Sequence, residues 1–191
     1  MPRGGIRIMS LEHAILGFLD RGPMTGYDLK TRCFDRDASH FWTADQAQVY
    51  RTLDRLVTRR LVTSRLVPQR GKPDRRVYSV TDNGRSELRA WVAQPLQPAP
   101  LRDGDLFRLY FGATLDDAAL ETRLSEARRG LQERLDGVRA RSSALRITTR
   151  EKALARMTLD AAAASLRAEI DWIDDCIERV REGLPAPEEV S

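Results

Sequence analysis

A mainly α-helical fold is predicted for this 191-residue chain, and three observations predict it. Apolar residues recur at helical spacing through most of the sequence. One pair of β-rich runs, Leu61–Val67 and Arg75–Val80, flanks a turn containing Gly71 and Pro73, which reads as a hairpin. A proline-rich stretch, residues 94–103, separates this part from a rear half built of two long heptad-patterned helices.

The elements follow in order. Leu11, Ile15, Leu16, Phe18 and Leu19 form the apolar side of a first helix that Ser10 caps and Gly22-Pro23 ends. Thr25 caps a second helix, with Asp28 in its acidic first turn and Tyr27, Leu29 and Cys33 as its apolar side. The polar run Asp35–His40 reads as a loop. Thr43 and Gln46 form a T-x-x-Q capping box for a third helix, with Trp42 placed to staple against Ala47. Val49, Leu53, Leu56 and Val57 face inward. Ala44, Ala47, Gln48, Arg51 and Arg55 face outward, with Tyr50 on the border. Thr81 caps a fourth helix, with Leu88, Trp91 and Val92 as its apolar side. Three helices, a two-stranded hairpin and a fourth helix give the order of a winged helix-turn-helix, assigned to residues 10–93.

Behind the linker at 94–103, residues 104–185 form a C-terminal helical domain. Leu124, Leu131, Val138 and Leu145 recur by sevens, as do Leu159, Leu166, Ile173 and Val180, and Ala163, Ile170, Ile177 and Leu184. Two adjacent rows suggest a seam broader than one partner helix covers. The expected interface of an antiparallel long-helix homodimer is therefore Leu124, Leu131, Val138, Leu159, Leu166, Ile170, Ile173, Ile177 and Val180. Two-fold symmetry suits palindromic sites on DNA.

Charge points the same way. Residues 1–95 carry 17 Lys and Arg against 10 Asp and Glu, whereas residues 96–191 carry 15 against 18. Only the front half is suited to meet a polyanion. A helix that reads DNA needs small side chains for close approach and polar ones for base edges. Thr43, Ala44, Ala47, Gln48, Tyr50, Arg51 and Arg55 supply them: Gln48 suits adenine, Arg51 guanine and Arg55 a phosphate. In the wing, Arg70, Lys72, Arg75 and Arg76 suit phosphates or the minor groove. An ordinary solvated helix face uses the same residue types, and the adjoining basic hairpin favours DNA.

Other classes find little support. No uncharged run approaches the roughly 20 residues of a membrane-spanning helix, and the residues before Ser10 do not resemble a signal peptide, so the expected home is the cytoplasm. Met9 is a second candidate start. Cys33 and Cys176 are far apart and suit neither a disulfide framework nor a zinc site. Gly71-Lys72 lacks the upstream glycine of a phosphate-binding loop, and His13 and His40 have no catalytic constellation in sequence reach. No enzyme and no cofactor are expected. A winged helix that docks a protein partner, with no specific operator, is the alternative.

The blocks at residues 11–30, 41–62, 71–92 and 101–111 resemble PadR-type transcriptional regulators of the long branch, with a virulence-activator-like C-terminal helical domain. The resemblance covers nearly all of residues 10–183. It implies operator-bound homodimers, often repressors released by small aromatic or drug-like compounds. It also implies DNA contacts from Gln48, Tyr50 and Arg51 in the matching Q-V-Y-R stretch, and from Lys72, Arg75 and Arg76 in the wing. An effector between the two domains would be lined by Phe107, Tyr110, Phe111 and Trp172. One departure is Arg60, where the family often has glycine before the first wing strand.

Overall fold

The computed structural model describes residues 11–68, 74–95 and 104–185. Ser10, Arg70, Lys72 and nearly all of the 94–103 linker lie outside the described residues. The chain divides into two compact units, Met1–Pro100 and Leu101–Ser191.

The first unit runs α1 (Leu11–Asp20), β1 (Met24–Thr25), α2 (Gly26–Asp28), a π-helical continuation (Leu29–Asp37), α3 (Gln46–Thr58), β2 (Val62–Val67), β3 (Arg75–Val80) and α4 (Asp82–Val92). Ile15, Leu16, Leu29, Phe34, Val49, Leu53, Leu56, Val62 and Tyr78 fill one core. Thr25 caps α2 as expected: its hydroxyl accepts from Asp28 N–H, while its own N–H donates to the Asp28 carboxylate at 3.2 Å. The helix then runs into the first part of the expected loop at Asp35–His40, because i+5 hydrogen bonding carries it to Asp37. Leu29 and Cys33 are buried, but Tyr27 is exposed.

The sheet is antiparallel in the order β1-β3-β2, so the wing gains a short third strand that the sequence reading lacks. Val62 pairs with Val80, Ser64 with Tyr78 and Leu66 with Arg76 on one face. Met24 pairs with Tyr78 across the other edge. At the end of α3, Leu61 N–H donates to Leu56 C=O and Arg60 N–H to Val57 C=O. That is the two-bond Schellman closure, and it needs a left-handed residue at the Arg60 position. Arg60 takes that conformation at φ 57°, which explains why glycine suits the site. Thr81 caps α4, accepting from Gly84 N–H at 3.1 Å and donating to Arg60 C=O at 2.9 Å. Leu88 packs on the core and Trp91 stacks on His13, whereas Val92 is exposed.

The second unit runs α5 (Gly104–Tyr110), a 3₁₀ turn (Gly112–Thr114), α6 (Asp117–Ala144) and α7 (Arg150–Glu182). Helices α6 and α7 form a hairpin with two apolar clusters. One gathers Leu120, Leu124, Ile173, Ile177 and Val180; the other gathers Leu135, Val138, Leu159, Leu166 and Ile170. This corrects the expected use of the heptad rows. Leu124, Val138, Leu159, Leu166, Ile170, Ile173, Ile177 and Val180 are buried within one chain, and Leu131 is half-buried. The rows on α7 alternate at spacings of three and four, which is the a and d pattern of a single seam. One partner helix therefore covers both. Arg128 with Asp174, and Arg181 with Glu121, tie the two helices across their flanks.

Candidate nucleic-acid interface

The start of α3 decides which side chains it presents. Its N-cap is Asp45, two residues after the expected Thr43. Gln48 N–H donates to the Asp45 carboxylate at 2.7 Å, and Asp45 N–H donates to Gln48 Oε1 at 3.4 Å. D-x-x-Q answers the same rule as T-x-x-Q, and a carboxylate at a helix N-terminus also meets its positive end. The shift has consequences. Thr43 is exposed but outside the helix, Ala44 is buried in the core rather than outward-facing, and Gln48 is exposed with its amide turned to its own cap. Trp42 packs against the core while Ala47 stays exposed, so the expected staple does not form.

Along the outward side, Ala47 and Arg51 are exposed, and Arg51 has no hydrogen bond or ion pair among the described residues. Arg55, expected to meet a phosphate, already has partners. Its Nε lies 3.3 Å from Glu12 Oε1 and its Nη2 donates to Thr52 Oγ1 at 3.0 Å. Tyr50, 38% exposed, lays its ring over Gly26 at the start of α2. A Cβ at Gly26 would stand 2.5 Å from the Tyr50 ring, so the absence of a side chain there makes room for the ring.

The wing adds cations near its turn. Arg75 and Arg76 are exposed. Arg75 Nη2 lies 3.4 Å from the Asp28 carboxylate, which also accepts from the Thr25 hydroxyl at 2.7 Å. The Thr25 hydrogen bond holds the Asp28 carboxyl below its ordinary 3.8, and Arg75 adds to the effect. Burial pushes the Tyr78 phenol above its ordinary value, opposed by a hydrogen bond with Arg76. Arg65 is an exposed wing cation that sequence reasoning missed. The pairs Arg65–Val77 and Val67–Arg75 put it on the same sheet face as Arg75. Strand alternation through Val67 carried that signal.

In the second unit, the two apolar clusters of the hairpin meet at Leu131. The small residues Ala127, Gly130 and Ala168 leave an open groove there of about 780 Å³. Trp172, Leu106 and Leu131 form apolar walls, and Arg134, Asp105 and Glu169 are its charged lining. Of the four expected effector residues only Trp172 lines this groove. Phe107, Tyr110 and Phe111 are exposed, and the Phe107 and Tyr110 rings each meet the Phe111 ring edge to face. Arg134 escaped the sequence reading because its place opposite α7 depends on how the hairpin pairs.

A capped helix with an uncommitted arginine, flanked by a basic antiparallel wing, defines the class: a winged helix-turn-helix DNA-binding regulator. Comparison with known proteins makes this more particular. Residues 15–90 match the model of the transcriptional regulator PadR-like family, and residues 101–181 match that of the virulence activator alpha C-terminal domain. The chain is 35% identical over 188 residues to "Probable transcriptional regulator Rv1176c" of Mycobacterium tuberculosis, covering 91% of this chain and 99% of the relative. It therefore belongs to the PadR-like family of transcriptional regulators.

Two further relatives have solved structures. Bacillus subtilis PadR, a negative transcriptional regulator, is 35% identical over 103 residues, covering 53% of this chain and 56% of the relative. Its structure in complex with operator DNA matches at TM-score 0.79 and 23% identity, covering 89% of this chain and 98% of that one. Another of its structures, with p-coumaric acid, matches at TM-score 0.72 and 22% identity, covering 90% and 98%. The Vibrio cholerae virulence activator AphA matches at TM-score 0.74 and 26% identity, covering 92% and 100%. Among the described residues, no helix is long and apolar enough to cross a membrane.

Proposed function

We propose that this regulator binds a specific operator as a homodimer in the cytoplasm, represses transcription from it, and is released by a small aromatic effector. The observation that carries the DNA reading is Arg51, exposed on α3 and without an ion pair among the described residues. An arginine with no internal partner breaks no ion pair when it turns to a guanine edge. Ala47, one turn earlier, lets the backbone approach. Arg65, Arg75 and Arg76 extend the basic surface into the wing.

Dimerisation has to use surface other than the hairpin seam. The second unit leaves Leu106, Phe107, Tyr110, Phe111, Leu154 and Met157 exposed. So much apolar surface on one small unit favours a partner subunit over water. The effector reading draws on the groove at Trp172, which offers a small aromatic ligand an aromatic wall and one cation, Arg134, beside the Asp105 and Glu169 carboxylates. The Bacillus subtilis relative solved with p-coumaric acid is consistent with that ligand class.

Sequencing the genomic fragments that the purified protein retains tests the whole reading. A shared palindromic site, protected by a dimer and released by aromatic acids, is expected. Recovery of fragments with no common sequence would favour the protein-docking alternative.

A further inference from the structure

We propose that Glu12 is a specificity-determining residue: an internal carboxylate that withholds Arg55 and Arg59 from DNA phosphates, leaving Arg51 as the available cation of the α3 stripe. The inference rests on α3 being the DNA-reading helix. Arg51, Arg55 and Arg59 follow one another at steps of four. Each step turns about 40° around the axis, so the stripe winds from the outward face toward the flank beside α1.

The commitment of these arginines rises along the stripe. Arg51 has no partner among the described residues. Arg55 Nε lies 3.3 Å from Glu12 Oε1. Arg59 meets both carboxylates, pairing through Nη1 with Glu12 Oε2 and through Nη2 with Glu87 Oε1 at 3.7 Å. Glu12 belongs to the first turn of α1 with its side chain 20% exposed, and it draws in the Arg55 and Arg59 side chains, which are themselves 59% and 40% exposed. Glu87 Oε1 in turn lies 3.7 Å from His13 Nε2, and the His13 ring stacks on Trp91 at 4.8 Å. Carboxylates from α1 and α4 thus hold the C-terminal cations of α3 in place.

Phosphate contacts raise affinity for every sequence alike, whereas base contacts discriminate. A chain that neutralises two of three arginines internally lowers sequence-independent binding and keeps the contact that reads bases. Removing the Glu12 charge reverses this. Arg55 becomes free to meet phosphate, Arg59 keeps only its 3.7 Å approach to Glu87, and the operator's advantage over random DNA shrinks.

The experiment measures binding of the full-length dimer to a random-sequence duplex and to the operator recovered from genomic fragments, across a salt series. Glu12→Gln is expected to tighten random-duplex binding severalfold and to steepen the log affinity–log salt slope by about 0.9 per released arginine. Adding Arg55→Gln and Arg59→Gln to that variant should return the slope to the parent value. In the parent background Arg55→Gln alone should leave the slope unchanged, and this arm needs no alteration of Glu12. An unaltered slope in folded Glu12→Gln would overturn the proposal. So would a slope already flattened by Arg55→Gln in the parent, since Arg55 would then touch phosphate with Glu12 in place. Arg51→Ala separates the two readings: if it leaves operator preference intact, the assignment of α3 fails whatever Glu12 does.

Discussion

The Tyr50 ring occupies the space that a side chain at Gly26 would fill, with Tyr50 Cε1 2.5 Å and Cζ 2.8 Å from where that Cβ would stand. This packing sets the N-terminal turn of α2 against the reading helix α3. Because Tyr50 is 38% exposed, its ring has somewhere to go. Gly26→Ala should therefore displace the ring outward while the core stays intact. Thermal unfolding is expected to move by only a few degrees, and operator affinity to fall. An unfolded variant would mean that the ring cannot move.

The turn after α3 supplies an opposite pair of effects. Arg60 sits at φ 57°, where a side chain costs roughly 1–2 kcal/mol, less what glycine loses in chain entropy. Arg60→Gly should stabilise the first unit by about 0.5–1 kcal/mol in denaturant unfolding, and Arg60→Ala should not. Gly84 is the reverse case. A Cβ there would lie 2.2 Å from Leu61 C=O and 2.8 Å from Val80 Cγ2, both held in packed structure. Gly84→Ala should cost on the order of 3 kcal/mol.

Acid should loosen the wing from α2. The Asp28 carboxyl lies below its ordinary 3.8 in the folded chain, chiefly through the Thr25 hydrogen bond and then through Arg75. A depressed acid stabilises the fold above its unfolded value and loses that contribution as pH falls through the folded value. Stability of the first unit should therefore drop on acidification below about 4, and Asp28→Asn should remove that part of the drop. Denaturant midpoints taken across this range measure it. Parallel curves for parent and variant would mean that Asp28 is not the group involved.

Periodicity and punctuation made the element order legible, because Gly22-Pro23, the hairpin turn and the helix caps are local signals. Choices between two local solutions were harder. Thr43 and Asp45 each head a capping pattern, and the carboxylate prevails, which also buries Ala44 and engages Gln48. The heptad rows of α7 were visible, but which helix covers them depends on the turn at 145–149 folding α7 back on α6. The Glu12 pairs with Arg55 and Arg59 join residues 43 and 47 apart, beyond the reach of any local pattern. Arg134 and the groove were hidden for the same reason.

Arg51→Ala tests the central claim most directly. Its side chain is exposed and without an ion pair among the described residues, so its removal should leave the unfolding transition unchanged. Binding should be measured at fixed salt, to the recovered operator and to each of its single-base variants. A loss on the order of 1–3 kcal/mol per half-site is expected, with preference relaxed at one operator position. A folded Arg51→Ala protein that keeps the parent's affinity and base preferences would contradict it.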